Sequence, residues 1–345
     1  MRNPEFVTHN SSAVNPIDMH VHLLGNGLSG SGCRVQSVWW QAPFIRAMAH
    51  GIGLRIDPRS ASLDEAYVRQ LARWLDSSSL AGLVALACDD VYQEDGTIRT
   101  DLSRLFVPND YVFQVAKLNP RILPGISIHP ARKDALEALE SGVAAGAVLL
   151  KLLPCVQVVD PSLPKYRGFW KRMAEVRLPL LAHTGGEFSL PTYRPDLQDP
   201  NCLRVPLELG VKVIAAHCGA PALPWERDYS LEFLKLRRQF PNLYGDISAL
   251  SQPTHLRTIA RLRDDPERIL YGSDYPVLTA VLWSRMAGWI SEDDWRRIRR
   301  IKNPLEKKRQ LAQVQGFPDT IFGDVWKVLR MPKSAPVFDP KFRVL

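Results

Sequence analysis

Long apolar runs are missing from this 345-residue sequence. No stretch reaches the roughly 18 consecutive apolar residues that a membrane-spanning helix needs, and residues 1–16 lack the apolar segment of a secretory leader. We therefore expect a cytoplasmic protein with no membrane partner.

Cysteines are few, and no two of them form a CxxC pair. This excludes both a disulfide framework and a zinc site built from thiolates. We predict that all five are reduced thiols: Cys33, Cys88, Cys155, Cys202 and Cys218.

Internal repeats and low-complexity tracts are missing as well. A hydrophobic fraction of 46% and a charged fraction of 23% are typical of an ordinary globular protein and exclude disordered and fibrous classes. The length suits one α/β barrel with insertions, which needs about 250 residues. We predict a single domain over residues 1–345, with a core at about 16–290 and a helical extension and tail at 291–345.

The formal net charge is +8, and most of the excess lies in residues 295–310. This segment is either a solvated helix face or a patch for nucleic acid or another anionic surface. We favour the solvated face and expect no nucleic-acid partner.

Short apolar runs alternate with stretches of helical composition along most of the chain. This order is typical of βα units, and continuous apolar strands are typical of a parallel sheet buried on both faces. The sequence therefore predicts an α/β fold, a (β/α)₈ TIM barrel. The eight predicted strands lie within residues 16–22, 80–90, 121–130, 146–154, 178–186, 211–219, 242–250 and 268–276.

One interval is too long for this pattern. A barrel uses about 31 residues per βα unit, and the distance between the first two predicted strands exceeds that. We predict a long insertion after strand 1, over residues 23–79, which contains the glycine-rich loop GNGLSGSGC and then Trp39 and Trp40. It either folds over the pocket as a lid with glycine hinges or docks as a helix on the outside of the barrel.

Histidines and one aspartate fall at the carboxyl ends of predicted strands, where barrel enzymes build their active sites. His20 and His22 share one face of strand 1, because alternate residues of a strand point the same way. His183, His217 and Asp274 each end a later run. Imidazole nitrogens and carboxylate oxygens are ligands preferred by Zn²⁺ and its first-row neighbours, so we predict a metal site here rather than separate core histidines.

Lys151 lies late in an apolar strand and allows three interpretations. Burial lowers the pKa of a lysine, so it could lose its proton, react with carbon dioxide and bridge two metals as a carbamate. It could instead stay protonated and bind a substrate carboxylate. The third interpretation is a lysine whose ammonium reaches solvent at the barrel rim and has no role.

Further residues near strand ends are candidates for substrate contacts or for structural roles. Arg34, in the glycine-rich loop, is a candidate anion clamp. Asp18 is a candidate hydrogen-bonding partner of the HxH pair. The remaining candidates are His129, Glu187, Asp246, Ser248 and Tyr275.

The motifs together resemble the metal-dependent amidohydrolase superfamily. The quoted segments HVH, LLAHTGGE, VIAAHCGA, LYGDISAL and LYGSDYP are similar to its amidohydrolase-related (amidohydrolase 2) branch, over about residues 16–290. The resemblance implies a (β/α)₈ barrel with Lys151 as a carbamylated bridge, whereas decarboxylase-type members use one metal and no bridging lysine. The metal-site residues that it implies are His20, His22, His183, His217 and Asp274.

The leading hypothesis is a metal-dependent hydrolase that attacks the carbonyl of an amide, lactone or ester of a small molecule, with Asp274 as general base. One or two divalent metal ions per chain are expected, with Zn²⁺ favoured. The first alternative is a metal-dependent decarboxylase of the same superfamily, and the second is a barrel that binds a ligand without turnover. A homodimer is expected from base rates of assembly alone.

Overall fold

The computed structural model describes residues 16–36 and 42–331. Across these residues the strands are β1 (Ile17–His22), β2 (Arg34–Val35), β3 (Gly82–Leu86), β4 (Leu105–Phe106), β5 (Ile122–Ile126), β6 (Leu149–Leu152), β7 (Leu180–His183), β8 (Val213–Ala216), β9 (Leu243–Asp246) and β10 (Ile269–Leu270).

Eight of these strands form one parallel sheet in the order β1-β3-β5-β6-β7-β8-β9-β10. The segment after β10 returns to β1, where the His22 N–H donates to the Tyr275 carbonyl over 2.8 Å. The Asp274 N–H donates to the His20 carbonyl over 2.8 Å, so the sheet curls back on its first strand. This confirms the predicted (β/α)₈ class.

Helices follow the strands on the outside of the sheet. Their bounds are α1 (Ala42–Gly51), α2 (Leu63–Asp76), α3 (Asn109–Leu118), α4 (Ala135–Ala144), α5 (Pro154–Gln157), α6 (Arg167–Glu175), α7 (Arg204–Glu208), α8 (Ser230–Gln239), α9 (Leu256–Asp264), α10 (Leu282–Met286), α11 (Glu292–Arg299), α12 (Pro304–Val314), α13 (Thr320–Gly323) and α14 (Val325–Val328). No helix in the described part of the chain has both the length and the apolar character needed to cross a bilayer.

Both faces of the barrel strands are buried, which explains their continuous apolar character. In β1, Ile17 and Met19 belong to a cluster with residues of the other strands and of α14. Val21 belongs to the larger cluster, which includes residues of the surrounding helices such as Leu71 and Trp170. Regular alternation would put these three residues on one face, but the register of β1 shifts between Asp18 and Val21, so the strand contributes to two packing layers.

The predicted insertion after the first strand is present, and it holds β2, α1 and α2. The Asp64 carboxylate organises its glycine-rich loop by accepting from the Asn26 N–H over 2.7 Å and from the Gly27 N–H over 3.1 Å. A Cβ on Gly27, whose φ is +78°, would lie 2.2 Å from the Cys33 carbonyl oxygen, so only glycine fits there. The predicted role of Trp39 and Trp40 lies outside the described residues.

The C-terminal extension packs on the barrel, and α14 contacts β1. Within the basic segment, Arg296 pairs with Glu292 at the surface, as expected of a solvated helix face, whereas the Arg309–Glu306 pair is mostly buried. Lys308 is an exception, since it is buried and donates to the Ser273 carbonyl. The predicted tail beyond residue 331 lies outside the described residues.

Candidate metal centre

Three donor atoms converge at the carboxyl end of β1. The Nε2 atoms of His20 and His22 lie 3.2 Å apart, and Asp274 Oδ1 lies 3.4 Å from the first and 3.1 Å from the second. Across residues 16–36 and 42–331, this is the one set of three or more such ligands close enough to share an ion. The alternation of β1 brings the two imidazoles together, and the segment after β10 supplies the carboxylate.

Asp246, at the end of β9, fixes the His20 ring. Its Oδ2 lies 2.8 Å from His20 Nδ1, so Nδ1 carries the proton and Nε2 keeps the lone pair that a metal needs. The other oxygen, Oδ1, accepts from the His217 N–H over 2.8 Å and from the Ser248 N–H over 3.1 Å. One buried carboxylate therefore orients two of the predicted metal-site residues.

His183 and His217 lie beside this set. Their ring centroids are 4.8 Å apart, and the His217 ring is 5.4 Å from that of His20. His217 Nδ1 lies 3.0 Å from the Ser248 carbonyl oxygen, whereas His183 Nε2 lies 3.2 Å from the Gly186 carbonyl oxygen. The structure thus brings all the predicted ligands together, and the donor atoms of three of them lie close enough to share one ion.

Two of these residues have backbones in the left-handed region, with φ of +61° at His217 and +56° at Asp274. Non-glycine residues adopt this conformation at a cost of about 1–3 kcal/mol. Hydrogen bonds hold it, from the His217 N–H to Asp246 and from the Asp274 N–H to the His20 carbonyl. Such strain recurs at functional sites.

Lys151 lies inside the barrel and is only 1% exposed. Its Nζ is 3.1 Å from His20 Nε2. The interpretation in which this lysine reaches solvent at the rim is therefore wrong, because the surrounding strands enclose the whole side chain. Burial lowers its pKa, which is the condition for a reactive neutral amine.

The protonation states suit a cation. Burial lowers the pKa of His20 to about 3 and also lowers the pKa of His22 and of His183. Burial alone would raise the pKa of Asp274, but the imidazoles of His20 and His22 hold it well below its ordinary value. Neutral imidazoles and an ionised carboxylate are the forms that bind metals.

A cavity of about 230 Å³ opens beside the centre. His22, His183, His217, Asp274 and Glu187 line one side of it. Its other walls are mostly aliphatic, and many come from the insertion: Leu24, Val35, Ile45, Met48, Ile52, Leu54, Ile56 and Leu63. The insertion therefore covers the pocket as the lid interpretation requires, and movement on glycine hinges stays a prediction.

Two of the candidates for substrate contacts, Arg34 and His129, lie away from the cavity, whereas Glu187 lines it. Arg34 Nη2 binds Asp90 over 2.6–2.7 Å, and its guanidinium lies over the Phe106 ring at 4.3 Å. His129 Nε2 lies 3.1 Å from the Gln157 carbonyl oxygen. Among described residues, neither side chain belongs to the cavity wall.

The other candidates have structural contacts. Tyr275 is fully buried, with its ring 5.9 Å from that of Tyr67. Asp18 accepts from the His20 N–H over 3.2 Å and from the Ser273 N–H over 2.8 Å, which ties β1 to the segment after β10. Asp246 and Ser248 support imidazoles rather than line the cavity.

Among the residues of the cavity wall that sequence reasoning missed are Arg104 and Tyr67. Arg104 lies just before the two-residue strand β4, and no apolar run marks that position. Tyr67, on α2, donates its hydroxyl to the His22 carbonyl over 2.6 Å. The amphipathic pattern of α2 could have identified Tyr67 as an inward residue, but not its partner.

The family model described as Amidohydrolase matches residues 17–298. The chain belongs to the amidohydrolase family. This confirms the family resemblance of the metal-site motifs. No curated protein sequence matches the chain.

Solved structures share the fold of this amidohydrolase. An uncharacterised TIM-barrel protein from Bordetella bronchiseptica has 18% identity and a TM-score of 0.54, with 87% of this chain and 99% of that chain covered. A probable 2-pyrone-4,6-dicarboxylic acid hydrolase from Acinetobacter baumannii has 15% identity and a TM-score of 0.51, with 90% and 99% covered.

Proposed function

We propose that this amidohydrolase is a metal-dependent hydrolase that cleaves an amide, lactone or ester of a small molecule. The observation that carries the proposal is the convergence of His20 Nε2, His22 Nε2 and Asp274 Oδ1 within 3.4 Å of one another beside a cavity. Asp246 holds the His20 proton on Nδ1, so the His20 Nε2 lone pair and the Asp274 carboxylate are two acceptors that face each other over 3.4 Å, an arrangement that a cation between them would explain.

The donor set fits a divalent cation, with Zn²⁺ favoured. His20, His22 and Asp274 would hold it, and His183 and His217 are the proposed further ligands. Such an ion supplies Lewis acidity, which brings the pKa of a water near 7 and polarises a carbonyl oxygen.

The chain's own groups supply the proton transfer. Asp274 is ionised because its pKa is held well below the ordinary value, and it lines the cavity, so we assign it as general base. It takes a proton from the attacking water at a carboxylate oxygen and passes it to the leaving group. Asp246 keeps the His20 proton on Nδ1 throughout.

Lys151 decides between one and two metals in this proposal. As a carbamate it would offer two oxygen ligands, and together with His183 and His217 it would hold a second ion. Its burial and lowered pKa support the neutral amine that this reaction needs. An intact-mass measurement that preserves carbamates tests this modification.

The experiment combines elemental analysis with an ester and amide hydrolysis screen, on the wild type and on Lys151→Ala and Asp274→Asn. Two equivalents of metal per chain, lost together with hydrolysis in Lys151→Ala, would support the two-metal hydrolase. Asp274→Asn should abolish hydrolysis. Metal-loaded protein without hydrolysis of any ester, lactone or amide would contradict the proposal.

A decarboxylase is the second candidate, because the described residues provide one set of three possible metal ligands, which fits a single ion. A protonated Lys151 would bind the carboxylate of the substrate. This candidate predicts one equivalent of metal that survives Lys151→Ala, with a raised KM for an aromatic carboxylate.

A further inference from the structure

The wall of the cavity carries a cationic side chain that forms no salt bridge with any described residue. Arg104 lines the same cavity as His22 and Asp274. Its Nη1 donates to Gln36 Oε1 over 3.3 Å, and its Nε is buried without a hydrogen-bond partner. The guanidinium on the cavity wall therefore keeps N–H groups for which no described residue supplies an acceptor.

Neighbouring arginines differ from Arg104 in this respect. Arg34 pairs with Asp90 at 2.6 Å and Arg99 with Asp101 at 2.6 Å. Among the residues that the structure describes, no carboxylate lies within 4.0 Å of the Arg104 guanidinium. The ribbon between β2 and β4 holds Arg104 in place, since the Gln36 N–H donates to the Arg104 carbonyl over 2.8 Å.

Most of the cavity wall is apolar. Ile45, Met48, Leu54, Leu63 and Leu105 line it, and the cavity of about 230 Å³ has the volume of about eight water molecules. Aliphatic walls gain free energy by burying an alkyl or aryl group. They offer no hydrogen bonds to a sugar or a nucleotide, which excludes strongly polar substrates from this part of the pocket.

We propose that the pocket selects small amphiphilic acids, in which an apolar body separates a carboxylate held by Arg104 from the group that faces the metal centre. The reaction of such an acid at the metal rests on the proposed function, whereas its binding to Arg104 does not. The Nε–H and an Nη–H of a guanidinium form the parallel pair of donors that a carboxylate accepts. The substrates would be half-esters, half-amides or lactones that carry a second, free carboxylate.

The test uses calorimetric titration of full-length protein with three probes: octanoate, 1-octanol and acetate. The wild type should bind octanoate and 1-octanol. Arg104→Gln should weaken octanoate about tenfold or more, since it removes a charge-assisted pair of hydrogen bonds, and should leave 1-octanol unchanged. Arg99→Gln is the matched control from the same loop and should bind both probes as the wild type does.

The outcomes separate this inference from the hydrolase proposal. Retained 1-octanol binding shows that the pocket of Arg104→Gln is folded, and acetate measures how much of the octanoate affinity comes from the carboxylate without the alkyl chain. Octanoate binding that is equal in wild type and Arg104→Gln, or a wild type that binds neither octanoate nor 1-octanol, would overturn the inference. If Arg104→Gln binds neither octanoate nor 1-octanol, the same titration is made with Arg104→Lys. Weaker binding of octanoate with unchanged binding of 1-octanol would then support the inference, and any other result would refute it. A loss of metal or of hydrolysis would bear on the hydrolase proposal only.

Discussion

The hydrogen bond from His20 Nδ1 to Asp246 Oδ2 should control metal affinity, and Asp246→Asn tests this. The other carboxylate oxygen, Oδ1, accepts from the His217 N–H and from both the N–H and the hydroxyl of Ser248. An asparagine would keep its carbonyl oxygen where these three donors meet, so its NH₂ group would face His20 Nδ1. His20 would then have to accept at Nδ1 and carry its proton on Nε2, which removes the lone pair from the metal side.

When His20 of Asp246→Asn adopts the tautomer that binds metal, it lacks the 2.8 Å bond to a charged group that stabilises this tautomer in the wild type. Such a bond contributes about 1.5–3 kcal/mol, so the Kd for Zn²⁺ should rise about 10- to 100-fold. Competition with a chromophoric chelator measures this change.

Asp18→Asn is the matched control for this experiment. Asp18 uses only Oδ1, which accepts from the His20 and Ser273 backbones, and its Oδ2 has no partner. An asparagine can keep both bonds, and the His20 ring is not involved, so the Kd should stay within about threefold of the wild type. Equal metal affinity in wild type and Asp246→Asn would refute the claim that Asp246 sets the tautomer.

Two further predictions concern stability. Burial lowers the pKa of His129 to about 4, below its unfolded value of 6.5, so its contribution is complete above pH 6.5 and is lost as the pH falls towards 4. His129→Gln should therefore flatten the fall in unfolding free energy over that range by up to about 1.4 kcal/mol per pH unit, measured by urea denaturation, and an unchanged slope would contradict this. Gly185→Ala should lower the unfolding free energy by more than about 1–3 kcal/mol, since its φ is +82° and a Cβ would lie 2.2 Å from the Ala220 carbonyl oxygen. The control is Gly146→Ala, which measures backbone strain alone, because the Gly146 φ is +97° and no atom lies within 4 Å of the added Cβ. An equal loss of unfolding free energy in the two variants would exclude the clash.

The order of βα units could be predicted from the sequence because it depends on local properties. Buried parallel strands read as short apolar runs, and regular spacing identified eight of them with an insertion after the first. The predicted ends of the strands were less accurate than their number and order. The eighth strand ends at Leu270, and Asp274 lies beyond it in a left-handed conformation that no apolar pattern reveals.

The identities of the candidate ligands were also evident in the sequence, because strand alternation and the carboxyl ends of a barrel fix where side chains meet. Arg34 illustrates where this reasoning stops. It resembled an anion clamp from its position in a glycine-rich loop, yet the structure pairs it with Asp90 and leaves Arg104 on the cavity wall.

The sequence by itself determined the barrel and the chemical types that gather at one end of it. Only the tertiary structure decided which donor atoms lie close enough to share an ion and that Lys151 is buried inside the barrel. It also decided that the pocket is mostly aliphatic and that, among the described residues, the Arg104 guanidinium on its wall has no anionic partner. The physical reason is that secondary structure follows from short-range periodicity. The contacts of His20 with Asp246, and of Gln36 with Arg104, join residues far apart in the chain through packing that no local pattern encodes.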